Sequence, residues 1–161
     1  MRRKGAACAA ALAVALLSCP ALARELTGAA RVIDGDTLEI AGERVRLYGI
    51  DAQEAAQSCT GADGRVWPCG AAAGEALRAL TQGREVICVV TGRDRYKRFL
   101  ALCHAGGEDL GARLVRDGMA VAYRRYSRIY AALEAEAHDA GRGIWAGRFE
   151  MPELWRHRGR Q

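Results

Sequence analysis

A chain of 161 residues, half of them hydrophobic, can build one domain with a sizeable core but not two. Twenty-four basic residues face 19 acidic ones, a net +5, and that balance alone says little about a nucleic-acid partner. No segment is long and apolar enough for a comfortable membrane span.

The N-terminus reads as an export signal. Met1-Arg2-Arg3-Lys4 is a basic start, an apolar stretch covers residues 6–17, and Ala21-Leu22-Ala23 supplies the small residues of a cleavage site. Cleavage is expected after Ala23, which divides the chain into a signal peptide (1–23), one folded domain (24–146) and a basic tail (147–161). A rival reading makes Leu16-Leu17-Ser18-Cys19 a lipoprotein box with Cys19 lipidated; Pro20 and the good Ala-x-Ala site argue against it. Losing three basic residues leaves 21 against 19 acids, so the mature charge falls to +2. The protein is expected in the periplasm or outside the cell.

The next stretch reads as strands. Arg31-Val32-Ile33 leads into an acidic bend, Asp34-Gly35-Asp36-Thr37, and Thr37-Leu38-Glu39-Ile40 and Val45-Arg46-Leu47-Tyr48 alternate polar and apolar residues. Gly42-Glu43 fits a two-residue turn. That register sets Ile40 opposite Val45 and Leu38 opposite Leu47, with all four on one face. Extended, it sets Asp36 opposite Gly49, in open space, and makes Asp36 and Asp51 diagonal neighbours, roughly 7 Å apart at Cβ. Two carboxylates that close suit one hard divalent cation. Strict alternation sends Arg46 to the other face, so the sheet must curl or bulge to bring it round.

Four cysteines follow the signal: Cys59, Cys69, Cys88 and Cys103. An even number in an exported chain suggests two disulfides, with three connectivities. Cys59–Cys69 and Cys88–Cys103 are favoured, and the spacing is too wide for an ordinary zinc site. Residues 85–90 and 99–103 read as a second antiparallel pair, joined by Asp94-Arg95-Tyr96-Lys97-Arg98. Helices are expected over 71–80, 109–117 and 127–140, the last capped by Ser127. Beyond Trp145 the chain reads as irregular, its aromatics packing back and its last residues loose. Five strands with three helices suggest an α+β fold around a small Greek-key barrel. Three basic clusters (Arg93 to Arg98, Arg124 to Arg128, Arg156 to Arg160) each read blandly as solvated faces; together they favour a polyanionic partner.

Three blocks resemble the signatures of the staphylococcal nuclease (thermonuclease) family. They are Val32-Ile33-Asp34-Gly35-Asp36-Thr37, then Arg46-Leu47-Tyr48-Gly49-Ile50-Asp51-Ala52-Gln53-Glu54, then Asp94-Arg95-Tyr96-Lys97-Arg98. Gly118-Met119-Ala120 and Gly143-Ile144-Trp145 are similar to its later landmarks. The resemblance implies an OB-fold barrel and Ca²⁺-dependent hydrolysis of DNA and RNA, with single-stranded or unpaired regions favoured, to 3′-phosphate and 5′-hydroxyl ends. It implies Asp36, Asp51 and the Ala52 carbonyl as metal ligands, Glu54 as the base, and Arg46 and Arg98 on the scissile phosphate. It further implies substrate contacts at Tyr123, Lys97 and Arg125.

This chain departs from the family pattern in three places. Gln53 replaces a common proline, Lys97 a common glycine, and Arg125 stands where a second tyrosine is usual. Asp34 either assists the cation from outside its ligands or shapes the bend, and Thr37 orients a water or starts a strand. His104, His138 and His157 are isolated and carry no assigned chemistry. A non-catalytic nucleic-acid-binding OB module is the competing reading, and an envelope interaction protein with a vestigial site a third. Retention of Asp36, Asp51, Glu54, Arg46 and Arg98 favours the enzyme. Nothing calls for more than a monomer.

Overall fold

The computed structural model describes residues 24–158. The expected signal peptide, its Cys19 alternative and the final three residues lie outside that range. The elements run in chain order as β1 (Glu25–Gly28), β2 (Ala30–Val32), β3 (Thr37–Ile40), β4 (Glu43–Leu47), β5 (Ile50–Ala52), β6 (Cys59–Thr60) and β7 (Val66–Trp67). Then come α1 (Cys69–Thr81), β8 (Val86–Arg93), β9 (Phe99–Ala105), β10 (Glu108–Asp109), α2 (Leu110–Arg116), β11 (Ala120–Ala122), α3 (Ala131–Asp139), a 3₁₀ turn (Gly143–Ala146) and α4 (Pro152–Arg158).

The main sheet runs β1-β8-β9-β4-β3-β2, with β10 added beside β9. Only β4 and β9 pair in parallel. Its two edges, β1 and β2, are halves of one strand separated by Ala29. That bent strand reaches β8 with its first half and β3 with its second, which curls the sheet into the expected OB-type barrel. Counted this way the barrel wall has five strands, and β5, β6, β7, β10 and β11 are short additions. Leu38, Ile40, Val45 and Leu47 point inward and meet Leu77 of α1 and Leu110 and Leu114 of α2. Burying side chains of this size contributes about 1.5–3 kcal/mol each.

The β3–β4 hairpin differs from expectation. Ile40 pairs with Glu43 and Leu38 with Val45, because Ala41-Gly42 forms the turn, both residues at positive φ (51° and 78°). The register is displaced by two residues, so the apolar face is unchanged. The three expected helices are present with shifted ends. Asp109 caps α2, its Oδ1 accepting from Ala112 N at 2.9 Å. α3 begins at Ala131 rather than after Ser127. Tyr130 fixes that start: it is buried against Gly111, where a Cβ would meet its ring at 3.0 Å, and its hydroxyl donates to the Asp109 carboxylate. Ser127 instead accepts from Ile129 N within the preceding turn.

The disulfides join Cys59 to Cys69 and Cys88 to Cys103. Around the first, Val121 and Ile144 form a second small core against Trp67, Trp145 and Phe149. The C-terminal stretch returns over this cluster, and a fourth, unexpected helix, α4, follows it.

Candidate active site

The acidic bend is built by a close approach. A Cβ on Gly35 would lie 2.7 Å from the Cβ atoms of both Ala52 and Ala73, so only glycine lets the bend rest on β5 and α1. Asp34 Oδ1 accepts from Asp36 N at 3.1 Å, which makes Asp34 a shaper of the bend. Asp36 Oδ2 accepts from Ala52 N at 3.0 Å and stitches the bend to β5. Asp51 sits mid-strand in β5, paired with Val121 of β11. Both carboxylates are almost fully buried, Asp36 at 4% and Asp51 at 1% exposure.

Arg46 joins them. One nitrogen donates to Asp36 Oδ1 at 2.7 Å and another to Asp51 Oδ1 at 2.6 Å. The expected difficulty with its face is resolved without a bulge. Arg46 sits opposite Thr37 in the ladder; the chain then leaves β4 at Tyr48-Gly49 and lays β5 against β11, which carries Asp51 back over the arginine. Gly49 makes that corner at φ 84°. The open space expected there is absent, since a Cβ would meet Ile129 at 3.2 Å.

Arg98 reaches the same place from the opposite side. Asp94 orders its loop by accepting from the backbone of Tyr96 and Arg98, and pairs with the Arg98 side chain at 2.7 Å. Arg98 Nη1 lies 3.3 Å from Thr37 Oγ1, which donates to Asp36 Oδ1 at 3.1 Å. Thr37 thus links the second arginine to the first carboxylate. Lys97 occupies the left-handed region at φ 67°, a conformation that costs a non-glycine residue roughly 1–2 kcal/mol. Its side chain is exposed and outside the cleft lining. The turn that puts Arg98 at the root of β9 points Lys97 away.

Glu54 stands at the rim, its side chain about a third exposed. Its loop is held by Gln57, whose side chain accepts from Glu54 N and donates to Glu150 O at 2.6 Å. Gly70 at the start of α1 packs directly on the Glu54 carbonyl, leaving no room for a Cβ. Gln53 is buried, and neither its amide oxygen nor its nitrogen has a partner among the described residues.

The sequence reading missed Arg156. It lies on α4, donates to both oxygens of Asp51 at 2.9 and 2.8 Å, and reaches Glu54 Oε1 at 2.8 Å. It is therefore no solvated tail residue. The signal for its helix was present: Pro152 at the first helical position, Glu153 in the first turn, and Arg156, His157 and Arg158 in the last. Arg125 pairs with Glu153 at 3.0 Å and so anchors α4. Arg124 bridges to Glu134 at 2.6 Å. Tyr123 stacks edge-on with Tyr126 at 4.9 Å.

The cleft enclosed by these parts measures about 830 Å³, with Arg93, Arg95, Tyr96, Tyr123, Tyr126 and His157 around its mouth. Burial pushes Asp51 above the usual carboxylate range, with hydrogen bonds from Arg156 and the charge of Arg46 opposing. Burial also raises Asp34, with the charge of Asp36 adding to it. Burial works against the charged form of Arg46, yet Asp36 and Asp51 raise its pKa overall. The pocket floor is thus acidic, buried and neutralised by guanidiniums. Among the described residues no three acids, histidines or cysteines gather closely enough to hold a metal by themselves. Two buried carboxylates with the adjacent carbonyl of Ala52 still suit a hard cation that keeps some of its waters.

The family described as "Staphylococcal nuclease homologue" matches residues 44–147. A succinoglycan biosynthesis protein, ExoI, of Rhizobium meliloti is 42% identical over 140 residues, covering 84% of this chain and 73% of its own. An uncharacterized endonuclease of Escherichia coli O157:H7 is 33% identical over 156 residues, covering 91% and 95%. A micrococcal nuclease of Shigella flexneri is 33% identical over 165 residues, covering 91% and 89%.

Proposed function

The chain belongs to the staphylococcal nuclease family, and from that premise we propose that it is a Ca²⁺-dependent nuclease that cuts DNA and RNA to 3′-phosphate and 5′-hydroxyl ends. The observation that carries the reading is the bridge of one guanidinium, Arg46, between two buried carboxylates, with Arg98 one hydroxyl away. Asp36, Asp51 and the Ala52 carbonyl would hold the cation. When bound, Ca²⁺ supplies positive charge beside a phosphate whose negative charge grows in the transition state.

The protein's own groups do the rest. Arg46 and Arg98 are forked donors suited to two phosphate oxygens, and they act where charge accumulates. Glu54 at the rim accepts a proton from the attacking water. The water oxygen bonds to phosphorus, the bond to the 5′-oxygen breaks, and that oxygen leaves as a hydroxyl after taking up a proton. Tyr123, Tyr126 and Tyr96 at the mouth offer ring faces for unpaired bases, each stack worth about 1–3 kcal/mol. The two disulfides fit an oxidising compartment, and no helix among the described residues is long and apolar enough to cross a membrane. The disulfides support an exported enzyme, which we propose acts as a monomer.

The test is the chemistry of the ends. A defined single-stranded DNA oligonucleotide cut in Ca²⁺ should yield 5′-hydroxyl fragments that a polynucleotide kinase labels without prior phosphatase treatment. Fragments with 5′-phosphates would contradict the assigned reaction. An uncut oligonucleotide that the protein still retards on a gel would favour the binding module.

A further inference from the structure

Arg156 holds a positive charge where the proposed reaction needs open carboxylates. Both Asp51 oxygens are engaged by it, one of them shared with Arg46, and the same guanidinium holds Glu54. A forked guanidinium on both Asp51 oxygens takes up lone pairs that a divalent ion would use and sets a positive charge beside its seat, and a base paired to a cation is a weaker base. The group is also reachable: the Arg156 side chain is 24% exposed and faces the cleft, whereas Asp51 beneath it is 2% exposed.

The element that carries Arg156 is held lightly. α4 has seven residues, too few to be stable alone. Pro152 is its buried residue, while Leu154 is 59% exposed. The other ion pairs of its residues, Glu153 with Arg125 and Arg158 with Glu150, lie on the surface. Much of what docks α4 is therefore the contact with the site itself.

We propose that α4 is a strap closing the site, with Arg156 as an internal cation that Ca²⁺ must displace. Metal binding and strap release are then one coupled equilibrium: loosening the strap tightens Ca²⁺, and Ca²⁺ loosens the strap. The inference rests on the Ca²⁺-dependent reading above.

Calorimetric titration of the disulfide-intact protein with Ca²⁺, with hydrogen exchange at residues 152–158, tests it. Arg156→Gln should bind Ca²⁺ about tenfold more tightly than the wild type, a coupling of ordinary size. Glu153→Gln should bind about threefold more tightly, by loss of a surface tether. Simple charge counting gives the opposite sign for Glu153→Gln, because it removes a negative charge from the rim. Saturating Ca²⁺ should speed exchange in 152–158 of the wild type. Equal affinities, or exchange unchanged at saturation, would overturn the strap and leave the metal reading standing. No heat from any of the three proteins would overturn both. Should Arg156→Gln not fold, Glu153→Gln and wild-type exchange decide the matter.

Discussion

The barrel wall and the C-terminal strap both send an arginine to Asp51, and they do so by different means. Arg46 is placed by a strand ladder with a buried hydrophobic face beneath it, so its position follows from periodicity and one corner at Gly49. Arg156 is placed by the docking of a short helix against a finished surface. The first kind of placement is rigid and belongs to the fold; the second can be undone without disturbing the barrel. One carboxylate is thus addressed by a permanent partner and a removable one.

The sharpest way to break this contrast is to remove the permanent partner. Arg46→Ala leaves two buried carboxylates with less compensation and should cost about 3–5 kcal/mol of stability, read by denaturant unfolding. Its cleavage rate should fall by about 10²–10³. A loss no greater than that of Arg156→Gln would erase the distinction between wall and strap. Glu54→Gln separates chemistry from structure: the rate should fall about 10²–10⁴, while Tm moves little because Glu54 lies at the rim. An unchanged rate would remove Glu54 from the reaction.

Replacing both Cys59 and Cys69 with alanine should destabilise by about 3 kcal/mol. Because that bridge also underpins the cluster that holds Phe149, in the stretch leading into the strap, exchange over 152–158 should rise more than in the barrel strands. Uniform acceleration would mean that strap and wall unfold together. The smallest effect belongs to the wall: Lys97→Gly should raise stability by about 1 kcal/mol by relieving the positive φ. Destabilisation there would show that the lysine side chain contributes something its exposed position does not reveal.

The same contrast governs what could be read from the chain alone. Asp36 and Asp51 were legible because alternation and turn residues bring them to one end of a sheet; Arg46 and Arg98 were legible only through the family resemblance, since strict alternation sends Arg46 to the other face. The β3–β4 register slipped by two because Gly42-Glu43 carries a better turn signal than Ala41-Gly42, in which an alanine must take φ 51°. The error was harmless to the core, since a shift of two keeps every side chain on its face. α3 began late because Tyr130 has a buried partner in Asp109 that no local pattern announces. The helix signals of α4 were visible in Pro152, Glu153 and the basic last turn. Where Arg156 goes was not, because that depends on a surface assembled from residues about 100 positions earlier.

Cleavage of single-stranded DNA by the purified, disulfide-intact protein, measured with Ca²⁺ and with EDTA for wild type and Arg98→Ala, tests the central claim most directly. Rapid cutting by the wild type in Ca²⁺, none in EDTA, and a loss of about 10²–10³ in Arg98→Ala is the predicted result. Equal cutting with and without Ca²⁺, or full activity in Arg98→Ala, would contradict it.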